Sequence, residues 1–129
     1  MAPEYVAKAL SPILPVAEMA VTVGFYVEVL GFERVHDSPG TEGKPIAYVR
    51  LSGGSMIELT TRPGGEPMSG FHLGLDCDDL DAATERLRAQ GLAVLTEPKP
   101  TTPRGAHQKG WRRAVFRGPH GETIEIKGP

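Results

Sequence analysis

Two stretches, IAYVRLSGGSMIEL at 46–59 and RAVFRGPHGETIEI at 113–126, repeat one another at an offset of 67 residues. Five positions are identical: Ala47/Ala114, Arg50/Arg117, Gly54/Gly121, Ile57/Ile124 and Glu58/Glu125. Upstream, an offset of 61 sets Ser11 against His72, Glu18 against Asp79 and Met19 against Leu80. A one-residue slip then sets Gly31 on Gly91 and Val35 on Leu95. An internal repeat constrains a fold more tightly than composition does, because each copy must build the same supersecondary unit. With 129 residues the chain has room for one domain. The expected organisation is therefore a single domain over 1–129, with one module at about 8–62, a second at about 70–127, and the turn-rich segment 62–67 between them.

Each half reads as strand, helix and several strands. In the second half, residues 71–76 alternate, with Leu73 and Leu75 on one face and His72, Gly74 and Asp76 on the other. Asp78 is expected to cap a helix, with Asp81 bonding back to it. Leu80, Ala83 and Leu87 form that helix's apolar stripe, and Gly91 ends it. In the first half the stripe is Met19, Val23, Val27 and Leu30, followed by Gly31. Strands follow at 32–36, 46–51 and 56–60, with Gly53-Gly54 as a tight hairpin signal. The matching pair in the second half lies at 112–117 and 123–127, turned by Gly118-Pro119-His120-Gly121. The pattern predicts an antiparallel sheet with one face under helices and one face open.

Alternation places Glu58 opposite Ile57 and Leu59, and Glu125 opposite Ile124 and Ile126. His72 is likewise opposite Leu73 and Leu75. Three metal-ligating side chains thus share the open face at equivalent points of the repeat. One imidazole and two carboxylates suit zinc, nickel, manganese or iron(II). If the sheets curve together, the open face lines a cup. Tyr48, Arg50, Arg113, Val115 and Arg117 belong to the same face. From 98 to 121 the chain has six cationic and no acidic side chains, a run that attracts an anionic ligand. Trp111, at the mouth of this loop, could stack on a planar one.

Other classes fall away. The formal net charge of −2 argues against a generic nucleic-acid binder. No apolar run approaches the roughly 20 residues that span a bilayer, and the first residues lack the pattern of a signal peptide, so no membrane partner and a cytoplasmic location are expected. Cys77 is the lone cysteine, which excludes an intrachain disulfide. Its acidic neighbours Asp76, Asp78 and Asp79 give no reason for a lowered thiol pKa.

The motifs Leu14-Pro15-Val16, Phe25-Tyr26 running to Val29-Leu30-Gly31-Phe32, and Gly54-Ser55-Met56-Ile57-Glu58-Leu59 carry a family resemblance. So do Phe71-His72-Leu73-Gly74-Leu75 with Asp78-Asp79-Leu80, and Gly118-Pro119-His120-Gly121 into Ile124-Glu125-Ile126. The chain resembles the vicinal oxygen chelate superfamily, which includes glyoxalase I, bleomycin resistance proteins and extradiol dioxygenases. The resemblance implies an α+β fold of two βαβββ modules forming a cupped mixed sheet, in a homodimer. It also implies metal ligands at four equivalent strand positions, here Ser11, Glu58, His72 and Glu125. Serine at the first of these is a poor ligand for a divalent ion.

Two functions follow from that resemblance. One is a lyase or isomerase in which a divalent ion on Glu58, His72 and Glu125 stabilises an oxyanion, with Glu58 or Glu125 serving as base. The other is a non-catalytic protein that sequesters an antibiotic in a cup lined by Tyr48, Met56, Trp111 and Val115, without a metal. A small-molecule ligand is common to both.

Overall fold

A helix between two strands brings the chain back, so the second strand runs the same way as the first. Two hairpins then make the fourth strand run that way too. If the fourth strand lies beside the first, that pair must be parallel. The computed structural model, which describes residues 11–41, 43–62 and 71–129, has this arrangement twice. The chain divides into two compact units, Met1–Gly65 and Glu66–Pro129.

In the first unit, β1 (Ile13–Val16), α1 (Met19–Gly24), β2 (Glu33–Thr41), β3 (Lys44–Arg50) and β4 (Met56–Thr61) form a four-stranded sheet ordered β1-β4-β3-β2. In the second, β5 (His72–Asp76), α2 (Leu80–Ala89), β6 (Val94–Pro100), β7 (Arg112–Arg117) and β8 (Thr123–Gly128) form a sheet ordered β5-β8-β7-β6. Both sheets are mixed, because β1/β4 and β5/β8 pair in parallel while the hairpin strands are antiparallel. The antiparallel sheet that alternation suggests is corrected at the β1/β4 and β5/β8 pairs, and the sheets are mixed as the family resemblance implies.

The repeat offsets are visible in the strand register. Ile13 pairs with Glu58 in β1/β4, and Gly74 pairs with Glu125 in β5/β8, which displaces the first partner by 61 and the second by 67. Tyr48 pairs with Glu58 as Val115 pairs with Glu125. Gly31 and Gly91 follow the two helices with φ of 86° and 84°, a left-handed conformation that side chains with a Cβ resist.

Each sheet buries one face under its helix. Leu14, Val16, Val49, Ile57 and Leu59 are buried in the first unit, and Ala114, Phe116, Ile124 and Ile126 in the second. The first unit adds an aromatic cluster in which Tyr26 packs edge-on against Phe25 and Phe32, at centroid distances of 5.3 and 5.4 Å. That cluster exists because α1 continues as a π-helical turn over Phe25–Val29, closed by the Leu30 amide donating to the Phe25 carbonyl at 3.1 Å. The wider turn rotates Tyr26 into the core, while the predicted stripe residues Val27 and Leu30 are only half-buried. In the second unit α2 buries Leu80, Thr84 and Leu87, and its cap is Asp79 rather than Asp78. The Asp79 carboxylate accepts from the Ala82 amide at 3.0 Å. The helix starts one residue later than the sequence pattern suggests. Residues 8–10 of the expected first module and 63–67 of the connecting turn lie outside the described residues.

Candidate functional site

The face of each sheet turned away from its helix carries the candidate residues. In the first unit one cross-strand row reads Ile13, Glu58, Tyr48 and His36 from β1 to β2. The Tyr48 hydroxyl donates to Glu58 Oε1 at 2.6 Å, and the His36 ring lies 5.7 Å from the Tyr48 ring. Donating to Glu58 holds the Tyr48 hydroxyl above the ordinary tyrosine range, with burial adding to the effect. Arg50 pairs across the strands with Met56 and reaches Glu33 at 3.4 Å. Ile13 and Met56 are exposed on this face, which gives it an apolar surface beside the Tyr48–Glu58 pair.

In the second unit the equivalent row reads Gly74, Glu125, Val115 and Thr96. Valine cannot donate to the carboxylate, and cations take tyrosine's place. Arg113 Nη1 lies 3.6 Å and Lys127 Nζ 3.8 Å from the same oxygen, Glu125 Oε1. All three side chains are largely withdrawn from solvent, at 32%, 21% and 21% exposure for Arg113, Lys127 and Glu125. Water therefore screens this pair less than it screens an ordinary surface ion pair.

The three arginines of β7 take different partners. Arg113 joins Glu125, whereas Arg112 faces α2 and binds Asp81 at 3.0 Å. Arg117 donates to the Gly121 carbonyl at 2.8 Å and clamps its own turn. Trp111 lies edge-on to His107, centroids 5.6 Å apart, in the loop before β7. Burial pushes the Cys77 thiol up, with the neighbouring aspartates adding to the shift, so it is not an activated nucleophile.

The four positions implied to bind metal are also resolved. Ser11 stands beside Met56 as His72 stands beside Thr123, and its hydroxyl donates to the Met56 carbonyl at 3.3 Å. His72 is exposed on β5, the strand next to Glu125. Glu58 belongs to the first unit, and His72 and Glu125 belong to the second. Within neither unit do three described His, Cys, Asp or Glu side chains gather as a metal-holding group. As they are held here, these donors do not fit a divalent ion. Ser11 is a neutral hydroxyl turned to the backbone, Glu58 already accepts from Tyr48, and two cations flank Glu125.

Two contributors escaped the sequence reading. Lys127 was legible, since it lies two residues beyond Glu125 on the same strand face. Glu122 is fully buried, and its carboxylate accepts from the His120 amide at 2.9 Å inside the turn before β8. No local pattern marks that burial.

The family model described as Glyoxalase/Bleomycin resistance protein/Dioxygenase superfamily matches residues 6–126. The chain belongs to that superfamily. Among related members, it is 28% identical over 127 residues to a probable lactoylglutathione lyase of Vibrio cholerae, covering 92% of this chain and 88% of the relative. It is 31% identical to TnmS3, an antibiotic binding protein from Streptomyces sp. CB03234, with a TM-score of 0.70 over 97% of this chain and 99% of the other. A glyoxalase/dioxygenase from Nostoc punctiforme shares the superfamily fold at a TM-score of 0.75 and 24% identity, covering 99% and 94% of the two chains. Among the described residues no helix is long and apolar enough to cross a membrane.

Proposed function

We propose that the protein is a non-catalytic member of the superfamily that captures a planar small molecule on its open sheet faces without a metal. The observation that carries this reading is the commitment of Glu125 to Arg113 and Lys127, since a divalent ion would have to enter beside two positive charges. The hold of Tyr48 on Glu58 and the poor ligand Ser11 point the same way. On the first unit Tyr48 and Met56 supply aromatic and apolar contacts beside Arg50, and on the second Trp111 and Val115 supply them beside Arg113 and Arg117. The likeness to an antibiotic binding protein supports an antibiotic as the ligand and resistance by sequestration as the role. Exposed Val35 and Leu95, on the edge strands β2 and β6, support a homodimer that covers those edges. A cytoplasmic location goes with this reading.

A second reading is a divalent-metal-dependent lyase or isomerase using Glu58, His72 and Glu125. The relative named as a lactoylglutathione lyase and the two glutamates in equivalent register favour it. It requires Arg113 and Lys127 to release Glu125. Calorimetric titration of chelator-treated protein with 2-naphthamide, a neutral planar probe, separates the two. Sequestration predicts binding that zinc or nickel does not alter, and a loss of roughly 0.5–1.5 kcal/mol beyond lost contact area in Trp111→Ala. Binding or lactoylglutathione lyase activity that appears only with added metal would overturn it.

A further inference from the structure

Strand register sets Lys99 of β6 opposite Arg113 of β7, and Arg113 opposite Lys127 of β8. Three cations therefore stand side by side in one cross-strand row, on the face that carries Glu125. The row ends at Asp76 of β5, the register partner of Lys127. Like charges directly opposite one another destabilise a sheet, so the fold itself gains nothing from this row. The first unit confirms that the fold does not require it: the equivalent row there reads Ser38, Ile46, Thr60 and Pro15, with no charge at all.

The row also depends on an irregularity. Glu97 and Lys99 are two residues apart, so a regular strand would give them the same face. Glu97 instead turns towards α2, where Arg88 holds it through two bonds of 3.0 and 2.8 Å. A register shift between Thr96 and Lys99 re-aims Lys99 to the opposite face, beside Arg113. Among the described residues Lys99 has no acid within ion-pair distance. Glu125 and Asp76 balance only two of the three cations, and the contacts of Glu125, at 3.6 and 3.8 Å, are ion pairs that leave the donors of Arg113 and Lys127 able to meet a second anion. Beside Glu125, Gly74 has no side chain, and a Cβ there would meet no described atom within 4 Å. The face thus combines surplus positive charge with open space.

We infer that Lys99, Arg113 and Lys127 form an anion-recognition row that takes the carboxylate or phosphate group of the captured molecule. This rests on the small-molecule capture proposed above and names the chemistry of its ligand: a planar molecule bearing an acidic group. The arginine supplies a planar fork and the two lysines supply adjustable point charges.

The test is calorimetry with 2-naphthoate, 1-naphthyl phosphate and neutral 2-naphthamide against wild type, Lys99→Gln and Lys127→Gln. The inference predicts that at least one anionic probe binds about tenfold to a hundredfold more tightly than the amide. That advantage should shrink in both variants and at high ionic strength, and the better anion tells carboxylate from phosphate recognition. Lys99→Gln should unfold no earlier than wild type, because it relieves a like-charge contact. Equal binding of all three probes would overturn the inference while leaving small-molecule capture standing. If no naphthyl probe binds, planar capture fails, and inorganic phosphate titrated into wild type and Lys99→Gln decides the row alone. Phosphate binding lost in the variant would support it, and no phosphate binding would overturn it. A Lys99→Gln protein that unfolds earlier and keeps the full anion preference would assign Lys99 to the fold and also overturn it.

Discussion

Tyr48 donates to Glu58 at 2.6 Å across β3 and β4, whereas Val115, its equivalent in the second unit, stands beside Glu125 and can donate nothing. The two glutamates are identical in the repeat and in register, yet one is held by a neutral hydroxyl and the other by two cations. The repeat keeps the geometry of the two faces while their chemistry differs. The first face is aromatic and apolar, and the second is positively charged.

The Tyr48–Glu58 bond predicts a titration. The phenol of Tyr48 should ionise above the ordinary tyrosine range, and Glu58→Gln should bring it back towards that range. Ultraviolet titration, with Tyr48→Phe identifying the signal among the three tyrosines, measures this. Because the folded pKa is raised, the bond's contribution to stability is fully present below the unfolded value and is lost as pH rises through the folded one. A Tyr48 that titrates normally in wild type would contradict the bond.

At the start of α2, Asp79→Ala should destabilise the protein by about 1 kcal/mol, because the carboxylate that accepts from Ala82 is lost. Asp78→Ala, outside the cap, should change stability by less than about 0.5 kcal/mol. Denaturant unfolding of both variants checks the assignment. A larger loss from Asp78 would restore the cap suggested by the sequence pattern.

The repeat and the alternation carry the two-module fold and the placement of the candidate residues on the open faces. The repeat gave Glu58 and Glu125 equivalent places, and alternation put both on the open face with Tyr48, Arg113 and Val115. The parallel β1/β4 and β5/β8 pairs were not visible in local alternation, because pairing between distant strands follows from chain direction. The π-helical turn that buries Tyr26 was missed because a stripe at 3.6-residue spacing assumes an unbroken α-helix. Lys99 stayed hidden for a similar reason, since one bulge reverses the faces that alternation assigns. The run of cations at 98–121 is plain in the sequence, but which of them stand beside Glu125 depends on that bulge.

The turn before β8 offers a packing test. A Cβ on Gly118 would collide with the fully buried Glu122 side chain, which has no exposed direction in which to swing. Gly118→Ala should cost about 1–3 kcal/mol, in the range of overpacked cores. Thermal unfolding measures it, and a variant as stable as wild type would contradict the placement of Glu122.

The most direct test of the central claim is metal content. That claim is that Glu58 and Glu125 serve internal partners and leave no site for a divalent ion. The protein is dialysed against zinc, nickel and manganese, freed of loose ions, and analysed by elemental mass spectrometry beside His72→Ala. The account predicts well under about one ion per chain, with no difference between the two proteins. About one tightly held ion per chain in wild type, lost in His72→Ala, would contradict it.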